Sequence, residues 1–264
     1  MAVTVAFING KGGCGKTTSI FHVAGVLSNQ KKRVLVLDLD KQLNTTETLL
    51  ANSAIPKLTV FDVMRGADPN RATAKALFQT RGNANPKYYG VDCMVSDQIL
   101  EDDAKVSKIN GVEFGRVIKA FIATEGYDWL LVDMPPSSRI LNDICFGNIV
   151  ENLIAPFSSD MFSVRGYSNL MKTVERARQK NPKIKNLGMF LSRYMSNCSL
   201  DKFVREELMS EFKEAFIDIQ IPLASDIRES VFMGRPISYY KGFLNKSRVA
   251  YENLVNEIER RAAK

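Results

Sequence analysis

The chain has 264 residues, 45% hydrophobic and 25% charged, with 36 Lys and Arg against 29 Asp and Glu, for a net charge of +7. That length and apolar content suit one compact domain with a sizeable core. No run approaches the roughly 18 apolar residues of a membrane span, no charged-then-apolar leader opens the chain, and Cys14, Cys93, Cys145 and Cys198 lack disulfide or metal-ligand spacing, so a cytoplasmic protein with reduced thiols is expected.

Ala2 to Ile8 is a short apolar run that suits a buried strand, and Thr17 to Leu27 reads as a helix. Between them stands Gly10-Lys11-Gly12-Gly13-Cys14-Gly15-Lys16-Thr17, a complete G-x-x-x-x-G-K-[ST] phosphate loop in the strand–loop–helix order the motif requires. Its glycines permit tight turns, its backbone N–H groups converge on one concavity, and the helix N-terminus adds partial positive charge. Residues 10–18, through Thr18, are therefore expected to hold an anionic polyphosphate, with Lys16 at the β- and γ-phosphates and the Thr17 hydroxyl on Mg²⁺. Cys14 lies near a helix N-terminus, where a thiolate could be stabilised, although a small residue chosen for fit is the simpler reading. His22, the only histidine, reads as a core or rim residue rather than a base.

Lys31 to Asp40 is a basic turn followed by a strand that brings Asp38 and Asp40 to the carboxyl edge of a parallel sheet, where ligands bind in open α/β folds. From about Ser53 to Glu125 strand and helix patterns carry no diagnostic motif, and Gly66 to Asn70 and Arg81 to Pro86 read as surface connections. Tyr127 to Ser137 contains a second buried strand ending in Asp133, which is placed to hold a water of the Mg²⁺ shell. Further strands are expected at Asn152 to Phe157 and Ile184 to Leu191, with a helix after Ser163 running through Arg176. This alternation predicts a single α/β domain over residues 1–264, a P-loop NTPase with a mostly parallel twisted sheet flanked by helices on both faces.

The string Lys11-Gly12-Gly13-Cys14-Gly15-Lys16-Thr17-Thr18 resembles the deviant Walker A motif of the ParA/MinD ATPases. Residues 38–44 are similar to the family's D-x-D-P-Q-x-N element, with Lys41 for proline, and 127–137 to its Y-D-Y-I-I-I-D-T-P-P-S segment, with Met134 for threonine. The likeness continues through Ile221 to Ile237 and Ser247 to Ile258. The resemblance implies that Lys11 reaches the partner subunit's nucleotide, that Asp40 orients or activates the attacking water, and that Asp38 supports the Mg²⁺ region. Lys41 should loosen the backbone of its loop.

A Soj/ParA-like partition ATPase of the short type is implied: ATP closes a sandwich dimer, the dimer binds double-stranded DNA non-specifically on the nucleoid, and a ParB-like partner speeds slow hydrolysis. A MinD-like membrane-surface ATPase is the alternative, but residues 257–264 are short of the bulky apolar residues a membrane-binding helix needs. Positioning of a protein cargo would use the same engine. An iron–sulfur carrier would need paired cysteines, and a DNA-coating protein would bind duplex regardless of nucleotide.

The charge is unevenly spread. Residues 166–264 carry 18 Lys and Arg against 12 Asp and Glu, so most of the positive excess is C-terminal and suits a phosphate backbone read without sequence preference. Candidate DNA contacts are Arg193, Lys202, Arg205, Lys213, Arg228, Lys241, Lys246 and Arg248, with Arg228 first among them.

Overall fold

The computed structural model describes residues 2–136, 138–159 and 164–263, the side chains of residues 164–168 excepted. Ser137 and Ser163, named above, lie outside the described residues. Eight strands form one sheet: β1 (Val3–Phe7), β2 (Val34–Asp38), β3 (Thr73–Thr80), β4 (Asn83–Met94), β5 (Trp129–Asp133), β6 (Asn152–Phe157), β7 (Lys185–Tyr194) and β8 (Phe216–Pro222). Their spatial order is β3-β4-β2-β5-β1-β6-β7-β8. Every neighbouring pair is parallel except β3 with β4.

Strands β2, β5 and β6 are buried along their whole length, as their near-continuous apolar runs require of strands covered on both faces. Successive residues feed opposite cores. Leu35 and Leu37 join the apolar cluster with Phe114 and Ile118 of α5 (Gly111–Glu125) and Leu141 and Phe146 of α6 (Arg139–Asn148). Val34 and Val36 join the other cluster, with Ile20, Phe21 and Leu27 of α1 (Lys16–Asn29) and Tyr251, Leu254 and Val255 of the closing helix at Lys246–Ala262. Each such side chain taken out of water contributes about 1.5–3 kcal/mol before chain entropy is set against it.

The segment Arg81 to Pro86 is not a plain surface connection. Gly82, at φ 85°, turns a β-hairpin, and residues 83–86 already belong to β4. Pro86 is tolerated because the β3–β4 register shifts between Phe78 and Thr80, so the missing N–H falls in an irregular stretch of an edge pairing.

β1 sits between β5 and β6, and the chain leaves it through α1 to reach β2 on one side, whereas β6 lies on the other. The loop after β1 therefore opens into the crevice at a topological switch point, the place where α/β sheets bind ligands. No helix among the described residues is long and apolar enough to cross a membrane.

Candidate nucleotide site

The phosphate loop runs from the end of β1 into α1. Asn9 secures its start, donating from Nδ2 to the Pro156 carbonyl at 2.7 Å and accepting the Lys11 N–H at 3.0 Å. Gly13 and Gly15 sit in the left-handed region at φ 75° and 87°, where a side chain is strained, and Gly15 leads directly into α1. Gly12, Gly13, Gly15, Lys16, Thr17 and Thr18 line a cleft of about 980 Å³. Lys16 is only 7% exposed, its stem packed in the loop. Lys11 is exposed beside Gly12.

Cys14 is buried in the apolar cluster, and burial pushes its thiol above the usual range, outweighing the opposing charge of Lys16. A stabilised thiolate is thus not what the fold provides; the residue fills space.

Opposite the loop, Asp38 and Asp133 are register partners across β2 and β5. Asp133 Oδ2 accepts the hydroxyls of Thr17 at 2.9 Å and Thr45 at 2.6 Å, while its Oδ1 is buried with no hydrogen-bond partner. Asp38 accepts the N–H and hydroxyl of Thr46 at 2.8 and 2.7 Å and the N–H of Asp40 at 3.0 Å. Burial raises the pKa of both carboxyls, and the Asp133 charge pushes Asp38 further. These hard oxygens suit Mg²⁺: the Thr17 hydroxyl and the orphaned Asp133 oxygen are the groups that would hold it or its waters. Asp38 stands beside this group, and the hydrogen bonds it accepts tie Asp40 and Thr46 in place.

Asp40 lines the same cleft and accepts the Gln42 N–H at 3.1 Å, while its carbonyl accepts from Ser96 Oγ at 2.8 Å. The backbone expected to loosen at Lys41 is therefore fastened from both sides, and Lys41 itself is ion-paired with Glu101. Met134, the departure from the family pattern, is buried in the apolar cluster beneath the loop that follows β5.

Of the basic residues proposed for DNA, the fold uses several elsewhere. Arg248 is only 4% exposed: it pairs with Glu252 at 2.7 Å and donates to the Ser238 and Lys241 carbonyls, so it is an internal tie and not a surface contact. Arg205 makes a two-pronged pair with Asp218 at 2.7 and 2.6 Å, which neutralises it locally. Arg228, on α9 (Ser225–Phe232), and Arg193 are exposed, and both also line the cleft. Lys202, Lys213 and Lys246 are exposed, and Lys241 lies over the Tyr240 ring at 4.2 Å.

Sequence reasoning missed Thr45 and Thr46, which directly follow the recognisable 38–44 element, and Ser96 and Ser192, which no local pattern marks; the segment from Ile221 was matched to the family, but not as the apolar cleft wall that Ile221, Pro222, Leu223 and Ile227 form.

A family model described as an AAA domain matches residues 2–186. The chromosome partitioning protein ParA of Caulobacter vibrioides is 27% identical over 247 residues, covering 89% of this chain and 86% of that protein. The chromosome-partitioning ATPase Soj of Treponema pallidum is 28% identical over 264 residues, covering 98% and 97%. The chain belongs to this family, as a ParA/MinD-type P-loop ATPase. The ParA/MinD-type fold also superposes on cobyrinic acid a,c-diamide synthase of Mycobacterium smegmatis with bound ATP analog and magnesium, at TM-score 0.78 and 21% identity over 98% of this chain and 95% of that one. In ParA/MinD terms, the loop at 10–17, the acidic element at 38–44 and the carboxylate ending β5 all open on one edge of one sheet.

Proposed function

We propose that this ParA/MinD-type chain is a partition ATPase that hydrolyses ATP, pairs as an ATP sandwich dimer, and binds double-stranded DNA without sequence preference until a ParB-like partner triggers release. The observation that carries the reading is the convergence of the phosphate loop, Asp40 and the Thr17–Asp133 pair on one cleft, with the extra Lys11 exposed beside it. The names of the ParA and Soj relatives supply the partition context.

In this reading Lys16 and the loop's N–H groups hold the phosphates, and Lys11 crosses to the nucleotide of a second copy. Asp40 orients the attacking water and takes its proton. Thr17 and Asp133 hold Mg²⁺, which when bound offsets the charge on the β- and γ-phosphate oxygens. The apolar wall at Ile221, Pro222 and Ile227 offers a planar base a dry contact surface. Residues 40–46 are held by hydrogen bonds and one ion pair, so a partner that reorganises them would change turnover without adding chemistry.

Non-specific duplex binding, measured with ATP, ADP or no nucleotide at two salt concentrations, tests the reading. Binding is expected only with ATP, weaker at the higher salt, and lost in Lys11→Ala. Binding that ignores nucleotide would favour a passive DNA coat, and no binding in any state would move the reading to a membrane or protein scaffold.

A further inference from the structure

The carboxyl end of β7 grips the phosphate loop from outside. Ser192 Oγ is within 2.6 Å of the Cys14 carbonyl and 3.3 Å of the Phe157 carbonyl, and Arg193 Nη1 donates to the Gly13 carbonyl at 2.9 Å. Two successive carbonyls of the loop are thus turned toward β7. In a planar trans peptide the N–H lies opposite the C=O, so the N–H groups of Cys14 and Gly15 are turned away from β7. The same contacts that hold the carbonyls therefore fix the peptide planes that carry these two donors, in a loop of the kind whose N–H groups bind polyphosphates.

Two further features set Arg193 apart from an ordinary surface cation. Its backbone lies at φ 57°, a left-handed conformation that costs a residue with a side chain and persists where surrounding contacts impose it. Its side chain lines the cleft together with Gly12, Gly13 and Gly15, placing a fixed positive charge beside the phosphate-binding backbone. Ser192, 3% exposed, holds the adjoining Cys14 carbonyl from the buried side.

We infer that Arg193 is a positioning residue of the nucleotide site, holding the Gly13 peptide plane and biasing the loop toward nucleoside polyphosphates, and not a DNA contact. The inference rests on the ATP-binding reading above. Its charge alone, seen in sequence, gives no hint of this, because the contact joins residues 180 positions apart.

The test uses the full chain with Mg²⁺ and a fluorescent ATP analogue, steady-state hydrolysis, and duplex binding at saturating ATP over a salt series. Arg193→Ala is expected to weaken analogue binding about tenfold, the loss of one charge-assisted hydrogen bond, with KM rising more than kcat falls. Arg193→Lys keeps the charge but not the planar donor and is expected to lose about threefold. The salt slope of DNA binding at saturating ATP should match the parent in both variants. Parental analogue affinity in either variant that folds would overturn the inference, as would a shallower salt slope, which marks a lost phosphate contact. A parent chain that binds no ATP would sink the ATPase reading itself, whereas a binding parent with indifferent variants sinks only the role of Arg193.

Discussion

His22 lies wholly inside the protein, its Nδ1 accepting the Ile237 N–H at 3.1 Å and its ring 4.6 Å from that of Tyr251. Burial depresses its pKa to about 3. Because the folded value lies below the ordinary 6.5, the unfolded chain binds the extra proton between those limits, and folding weakens as pH falls through them. Protonation would also remove the acceptor that Ile237 uses. Urea unfolding of the parent should lose stability from this group as pH falls below 7, the slope approaching about 1.4 kcal/mol per pH unit between pH 5.5 and 4, and His22→Gln should show a slope shallower by that amount. Equal slopes would mean that the imidazole is accessible to protons in the folded state. The same residue shows what was legible at this scale: a lone histidine in an apolar helix reads as core, but its partner 215 residues away does not.

Arg248 shows how an element boundary is secured by a residue that sequence marks as surface charge. It stands in the first turn of α11 (Lys246–Ala262), and its guanidinium reaches back to the carbonyls of Ser238 and Lys241 around the short helix α10 (Ile237–Tyr240). Arg248→Met should leave those carbonyls and Glu252 without their donor and cost about 2–3 kcal/mol. Thermal unfolding should shift down by about 5–10 °C, with the salt slope of DNA binding unchanged. A shift in that slope with no loss of stability would return Arg248 to the surface. Strand positions with continuous apolar runs, such as β5 (Trp129–Asp133), were readable from sequence because burial on both faces imposes that pattern. The hairpin of β3 and β4 was not, since Asn83 to Pro86 has turn composition and is held as strand only by its partner and a register shift.

Across the whole molecule, the acidic and phosphate-binding elements come from strands that are neighbours in space but up to 116 residues apart, as in the Thr17–Asp133 bond of 2.9 Å. If Asp40 serves the water as proposed, Asp40→Ala should keep ATP and DNA bound while hydrolysis falls by about a hundredfold or more. Phosphate release measured beside duplex dissociation checks this, and rapid turnover by the variant would refute the assignment. If the chain binds DNA as proposed, the members of the basic C-terminal excess free to serve it are exposed residues such as Lys202, Lys213, Arg228 and Lys246, once paired and internal arginines are set aside. What the sequence by itself determined is the ParA/MinD-type nucleotide loop, the acidic strand ends and the alternating α/β order, because glycine spacing and apolar runs act over a few adjacent residues. Only the tertiary structure decided which charges serve the surface, the core or the cleft. A guanidinium's role depends on the carbonyl or carboxylate it meets, and for Arg193 that partner lies 180 residues away.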